Sequence, residues 1–243
     1  MAAIRKIPVN VTEIIPYGDK VRLFRLKPKK AGIQFKAGQF LHLAVEPYDP
    51  SFNWPESRVF SIANSPDRSE FIDVLVSKIG KFTEEMFKKV KSGTELWIKL
   101  PYGVFNFDES IDHNTVLIAG GTGISPFMSF IQYAIDRKLN TAIQLYYGVK
   151  NKDLIIIDDL IQEALRSLTN FEYNLYIEED LNPHSNLKFK YGILNVPEIV
   201  KNSLKMENPV FYLSGPPAMI SAFELELNKH GVNQGQIKYD KWE

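Results

Sequence analysis

The chain has 243 residues and balances 29 Lys and Arg against 29 Asp and Glu, so it carries no net basic field that would favour nucleic acid. It contains no cysteine, which excludes disulfides, Cys-ligated zinc, a thiol nucleophile and a Cys-held iron–sulfur cluster within these residues. His42, His113, His184 and His230 do not fall at metal-ligand spacing, no run of ~18 apolar residues offers a membrane span, and "MAAIRKIPVN" lacks a secretory apolar core, so a soluble, cytoplasmic protein is expected.

Residues 1–110 read as a strand-rich first domain. "VRLFRLKP" alternates apolar and polar residues, and "QFLHLAVEP", "RVFSIANSP", "FIDVLVSKI" and "ELWIKLPYG" follow as further strand runs. "YGDK", "KAG", "NSPDRSE" and "SGTE" punctuate them as turns, and "KPKKAG", broken by Pro28, reads as a solvated turn. One helix interrupts at "FTEEMFKKVKSG", with Phe82, Met86, Phe87 and Val90 on one face and Gly93 as its stop. Short strands with one inserted helix predict an antiparallel barrel.

The rhythm changes across the polar patch Asp108 to Asn114, and residues 111–243 read as a second domain. Strands at "TVLIAGG", "TAIQLYYG", "FEYNLYIEE", "PVFYLSGPP" and "QIKYDKW" alternate with helices at "SPFMSFIQYAIDRK", "DLIIIDDLIQEALRSL", "VPEIVKNSL" and "AMISAFELELNKHG". Continuous apolar strands alternating with helices predict a Rossmann-like parallel sheet covered on both faces.

Ligands of such sheets bind beyond the carboxyl ends of the strands, where "AGGTGISP" stands. Its glycines permit positive φ and close backbone approach, and the following helix aims free N–H groups at the turn, which suits a pyrophosphate. The pattern is neither G-x-G-x-x-G nor a P-loop, and a tight turn without a ligand is the plain alternative. In the first half, Arg58 of "RVFS" is suited to a phosphate, and "GKFT" opens a helix with Thr83 as N-cap or first-turn residue. Their plain alternatives are a surface ion pair and an ordinary cap.

Taken in order, "RVFS", "GKFT", "PYG", "GGTGISP", "YYGVKNKDL" and "SGPPAM" resemble the ferredoxin–NAD(P)+ reductase superfamily across nearly the whole chain. The resemblance implies a six-stranded FAD-binding barrel followed by an NAD(P)-binding domain. It implies hydride transfer between NAD(P)H and FAD, and electron transfer between FAD and a separate acceptor. Arg58 would pair with the FAD pyrophosphate, and Val59, Phe60 and Ser61 would lie along the flavin, with Ser61 near N5. Val76, Ser77 and Lys78 would line the cofactor, and Gly80, Lys81, Phe82 and Thr83 would hold its pyrophosphate. Gly121, Thr122 and Gly123, with Gly148, would cradle the nicotinamide dinucleotide, while Ser214, Gly215, Pro216, Pro217 and Met219 would close over the nicotinamide. Ser61 and Ser214 would be the catalytic hydroxyls, and Trp242 would cover the flavin or simply end the last strand.

Three positions depart from the family pattern. Phe60 stands where Tyr is usual, so a hydroxyl is lost. Ser214 stands where Cys is usual, and slower hydride transfer than in a Ser214→Cys variant is expected. Glu178 and Glu179 stand where NADP-preferring members hold the 2′-phosphate, so NADH is favoured, although Lys150 and Lys152 lie nearby in sequence. With no cysteine in these residues, the acceptor is expected to be a separate ferredoxin, iron–sulfur, haem or oxygenase component. The alternatives are a reductase that uses free flavin as substrate, which "GKFT" disfavours, and a non-catalytic nucleotide-binding subunit.

Overall fold

The computed structural model describes residues 3–107, 114–179 and 187–240. It divides into two compact units, Met1–Phe107 with Met128–Tyr133, and Asp108–Phe127 with Ala134–Glu243. Most of the boundary expected at Asp108 to Asn114 lies outside the described residues.

In the first unit, apolar–polar alternation places one face of each strand inward. The strands are β1 (Arg5–Tyr17), β2 (Val21–Pro28), β3 (Phe40–Ala44), β4 (Ser57–Ser61), β5 (Ile72–Ser77) and β6 (Glu95–Tyr102). They form an antiparallel sheet in the order β4-β3-β6-β1-β2-β5, and a bridge between Ile62 and Val74 joins its two ends into a barrel. Val9, Phe24, Leu26, Leu41, Val74, Leu96 and Ile98 fill the interior. Burial of each such side chain contributes about 1.5–3 kcal/mol. Helix α1 (Lys81–Lys89) adds Met86 to this core.

Arg25 and Asp73 face one another across β2 and β5 and make a two-point contact, Nε to Oδ1 and Nη2 to Oδ2, each 3.0 Å. Burial pushes the Asp73 carboxyl up from its ordinary range, while the Arg25 bonds pull against that shift. The pair ties two neighbouring strands together at one register position, and Arg25 also reaches Glu13 at 2.7 Å.

Five strand runs were legible in this half; the structure adds β1, at 13 residues longer than any of them. Pro8 and Pro16 argue against a strand by sequence. Pro8 has no N–H to give the ladder, but its carbonyl accepts from Lys29 N at 3.0 Å.

In the second unit, β7 (Asn114–Gly120), β8 (Ile143–Val149), β9 (Phe171–Ile177), β10 (Phe189–Tyr191), β11 (Pro209–Ser214) and β12 (Ile237–Asp240) are parallel. Their order is β10-β9-β8-β7-β11-β12, so the chain runs outward from β7 on one side and later returns to its other side at β11. The carboxyl ends of β7 and β11 therefore flank the switch point of the sheet. The connecting helices are α2 (Ser125–Arg137), α3 (Asp158–Ser167), α4 (Val196–Ser203) and α5 (Pro217–Lys229). Val116, Ile118, Phe211 and Leu213 pack with Ile199, Val200, Phe223 and Leu227.

The helix expected from Asp153 starts only at Asp158, because Ile155 takes ψ 80° and breaks the turn. Asp158 and Asp159 then occupy the first turn, where the helix dipole favours them. No helix among the described residues is long and apolar enough to cross a membrane.

Gly38 has φ +91°, and a Cβ built there would stand 2.2 Å from the Phe105 carbonyl oxygen. Both the backbone conformation and the contact require glycine. Gly38→Ala is expected to lower stability by at least about 2 kcal/mol. Urea unfolding checks this, and an unchanged midpoint contradicts it.

Candidate functional site

In the first unit, β4 delivers Arg58 to the start of α1. The Arg58 guanidinium lies 5.2 Å from the centre of the Phe82 ring, so "RVFS" and "GKFT" are neighbours in space. Arg58 also pairs with Glu56 at 2.9 Å and donates to the Ser57 carbonyl at 3.0 Å. The Arg58 and Glu56 side chains are both more than half exposed, and such a surface pair is weak and readily exchanged for a stronger anion.

Gly80 is the N-cap of α1, with φ +81° and open space where a Cβ would stand. Glycine brings no side-chain acceptor, so the first-turn amides are left for another anion. Thr83 is a first-turn residue and not the cap: its Oγ1 accepts from Ile79 N at 2.8 Å and donates to Gly80 O at 3.2 Å. Its hydroxyl thereby closes the turn that presents those amides.

The other first-unit residues differ in access. Lys78 and Lys81 are exposed, Val59, Phe60 and Ser77 are half-buried, and Ser61 is buried. Val76, expected to line the cofactor, is fully buried in the barrel core as a whole residue and presents no surface of its own.

In the second unit, the turns after β7 and β11 interlock. Ala119 and Ser214 are register partners on those strands. A Cβ on Gly123 would stand 2.3 Å from Ser214 O and 2.6 Å from Gly215 N, and one on Gly120 would stand 2.8 Å from both Met219 Sδ and Pro216 Cδ. The motifs "GGTG" and "SGPPAM", some 90 residues apart, are thus one assembly. Gly121 is different: its φ is +54°, and no atom lies within 4 Å of its virtual Cβ. Conformation alone requires glycine there, and the open space beside it permits close approach by a ligand. Thr122 is half-buried between these glycines. Gly148 pairs with Gly120 across β8 and β7, and a Cβ there would press on the Leu194 side chain at 3.0 Å.

Ser214 is buried, and its Oγ donates to Asp240 Oδ2 at 3.1 Å. That bond brings Asp240, absent from the sequence expectations, to the candidate site; the available signal was a lone carboxylate in an otherwise strand-like "QIKYDKW". Glu178 and Glu179 are exposed beyond the end of β9. Their amides donate to Val149 O at 3.1 Å and Lys150 O at 2.9 Å, and Lys150 Nζ is 3.2 Å from Glu179 Oε1. Glu179 thus offsets the Lys150 charge locally, and Glu178 adds a further negative charge. Trp242 lies outside the described residues.

Residues 7–107 match the model of the oxidoreductase FAD-binding domain, and residues 117–224 match that of the oxidoreductase NAD-binding domain. The reductase component of propane 2-monooxygenase from Rhodococcus jostii is 28% identical over 244 residues, covering 98% of this chain and 64% of that protein. The chain thus spans just under two thirds of that relative. A cytochrome P450 reductase from Amycolatopsis superposes with TM-score 0.84 at 22% identity, covering 99% of this chain and 71% of the other. A ferredoxin NADP+ reductase from Neisseria gonorrhoeae superposes with TM-score 0.75 at 20% identity and covers 99% of each chain. These two structural likenesses establish the fold.

The two glycines of the turn after β7 are expected to respond differently to substitution. Gly123→Ala forces backbone apart and should cost at least about 2 kcal/mol, while Gly121→Ala meets only the φ penalty of about 1–2 kcal/mol. Thermal unfolding of the two variants checks the order, and a Gly123→Ala protein as stable as the wild type contradicts the interlock.

Proposed function

The chain belongs to the ferredoxin–NAD(P)+ reductase superfamily of FAD- and NAD-binding oxidoreductases, and from that membership we propose that it transfers hydride between NADH and a held FAD, and electrons between that FAD and a separate acceptor protein. The observation that carries this reading is the meeting of Arg58 with the Gly80-capped start of α1, a cation and uncapped amides on one side of the barrel. That arrangement suits a pyrophosphate that stays bound, and it disfavours a flavin that must come and go.

Arg58, Gly80, Lys81, Phe82 and Thr83 would hold the FAD pyrophosphate, with Val59, Phe60, Ser61, Ser77 and Lys78 along the rest of the cofactor. Bound FAD supplies the two-electron chemistry, exchanging hydride with nicotinamide and passing electrons onward. The chain's own contribution is alignment and electrostatics, so no strong side-chain acid or base is called for. Gly121, Thr122 and Gly123 would take the dinucleotide, and Ser214, Gly215, Pro216, Pro217 and Met219 the nicotinamide end. Ser61 and Ser214 would supply the hydroxyls of the reaction site.

Glu178 and Glu179 oppose a 2′-phosphate by charge and can accept from ribose hydroxyls, which supports NADH over NADPH. The Rhodococcus relative is a reductase component, which supports a separate acceptor for this chain, of the iron–sulfur, ferredoxin or oxygenase class. A cytoplasmic setting accords with that chemistry.

The test is the visible spectrum of the desalted protein, mixed without oxygen with NADH and then with NADPH. A retained flavin band that NADH bleaches faster supports the proposal; a colourless protein that reduces added flavin supports the free-flavin alternative and overturns it. Arg58→Ala is expected to weaken FAD binding at least about tenfold, read as flavin lost on gel filtration. The pair Glu178→Gln and Glu179→Arg is expected to narrow the preference for NADH about tenfold in kcat/KM, and an unchanged ratio contradicts the assigned role.

A further inference from the structure

The guanidinium of Arg58 already has acceptors on both of its terminal nitrogens. Nη2 lies 2.9 Å from Glu56 Oε1, and Nη1 donates to the Ser57 carbonyl at 3.0 Å. A guanidinium gives two parallel bonds to an anion from one of two edges, Nε with Nη2 or Nη1 with Nη2. Both edges include Nη2, the nitrogen that Glu56 occupies. The Ser57 carbonyl belongs to β4 and stays with the strand, so the carboxylate is the acceptor that can leave. An anion that takes Arg58 by two points must therefore displace Glu56.

The segment that carries Glu56 is braced on both sides of it. Trp54 Nε1 donates to Ser57 Oγ at 3.0 Å, a bond that spans Pro55 and Glu56. The indole lies against Tyr48, with ring centres 5.2 Å apart, and Lys99 Nζ stands 5.3 Å from its centre. Pro55 restricts the backbone further. A displaced Glu56 carboxylate thus stays close to the anion that replaces it. We infer that Glu56 is a built-in competitor for Arg58, a carboxylate that sets how firmly FAD is held. This rests on the reading above that Arg58 takes the FAD pyrophosphate. Binding exchanges one anion for another on the same nitrogen, so the attraction of Arg58 for the diphosphate is offset by the release of Glu56. The carboxylate then also faces the diphosphate charge.

The experiment uses the FAD-loaded full chain as wild type, Glu56→Gln, Arg58→Ala and the double variant. The Kd for FAD is read from flavin fluorescence over a dilution series, at low and at high salt. The Glu56 side chain is more than half exposed, so Glu56→Gln leaves the fold intact. At low salt Glu56→Gln is expected to tighten FAD binding by at least about threefold, the scale of an exposed ion pair. The gain shrinks at high salt, where such interactions are screened. In the Arg58→Ala background the same change tightens binding by less than about 1.5-fold, because the contested cation is gone. Glu46→Gln removes the same charge from an exposed residue of the same loop and is expected to change Kd by less than about 1.5-fold.

A Glu56→Gln protein that holds FAD no more tightly than the wild type overturns the inference. Equal tightening with and without Arg58 overturns it too, since the carboxylate then acts on the flavin and not through the arginine. Tightening by Glu46→Gln as large as that by Glu56→Gln assigns the effect to net charge and likewise overturns it. In each of these cases a wild type that retains FAD leaves the proposed function standing. A wild type that binds no FAD removes the proposed function and this inference with it.

Discussion

The backbone of Gly123 lies so close to the Ser214–Gly215 peptide that no side chain fits between them, and the second unit is organised around that constraint. It can be met only because β7 and β11 are parallel neighbours in register, each ending where the other ends. The strand order places those ends at the switch point of the sheet, where parallel sheets of this kind bind their ligands. Gly121, beside the contact but outside it, keeps open space next to a left-handed backbone. One glycine is thus held by packing and its neighbour by conformation, and only the second leaves room for a ligand.

The first unit presents amides by a different route. Its barrel has no switch point, so the anion-facing feature comes from helix α1 laid against it. Gly80 starts that helix without a side-chain cap, Thr83 closes the turn from within, and Arg58 arrives from β4. Each element is weak alone: an uncapped helix start, a threonine hydrogen bond and a surface ion pair. Their convergence gives the group its chemical meaning, because a cation beside uncapped amides favours a multiply charged anion.

Much of this was legible in the residues. The parallel half declared itself through continuous apolar strands and Gly-Gly-Thr-Gly, and the structure places that motif at the end of β7. Local rules failed where a partner distant in sequence decides the outcome. The prolines of β1 argue against a strand, yet the carbonyl of Pro8 has a partner on the segment after β2. The segment Leu154 to Ile157 is apolar enough for a helix, but its backbone breaks before Asp158. Asp240 carried no motif at all; its contact with Ser214 emerges only when β12 is laid beside β11. A Cβ at Gly148 would press on the Leu194 side chain, a contact that only the folded β8 makes visible.

The measurement closest to the central claim follows the hydrogen itself. The FAD-loaded protein is mixed anaerobically with NADH deuterated on one face of nicotinamide C4, then with NADH deuterated on the other, and the label remaining in the oxidised nucleotide is counted. Direct transfer along one fixed alignment removes deuterium from one face only. Loss from both faces, or no oxidation of NADH at all, contradicts the account.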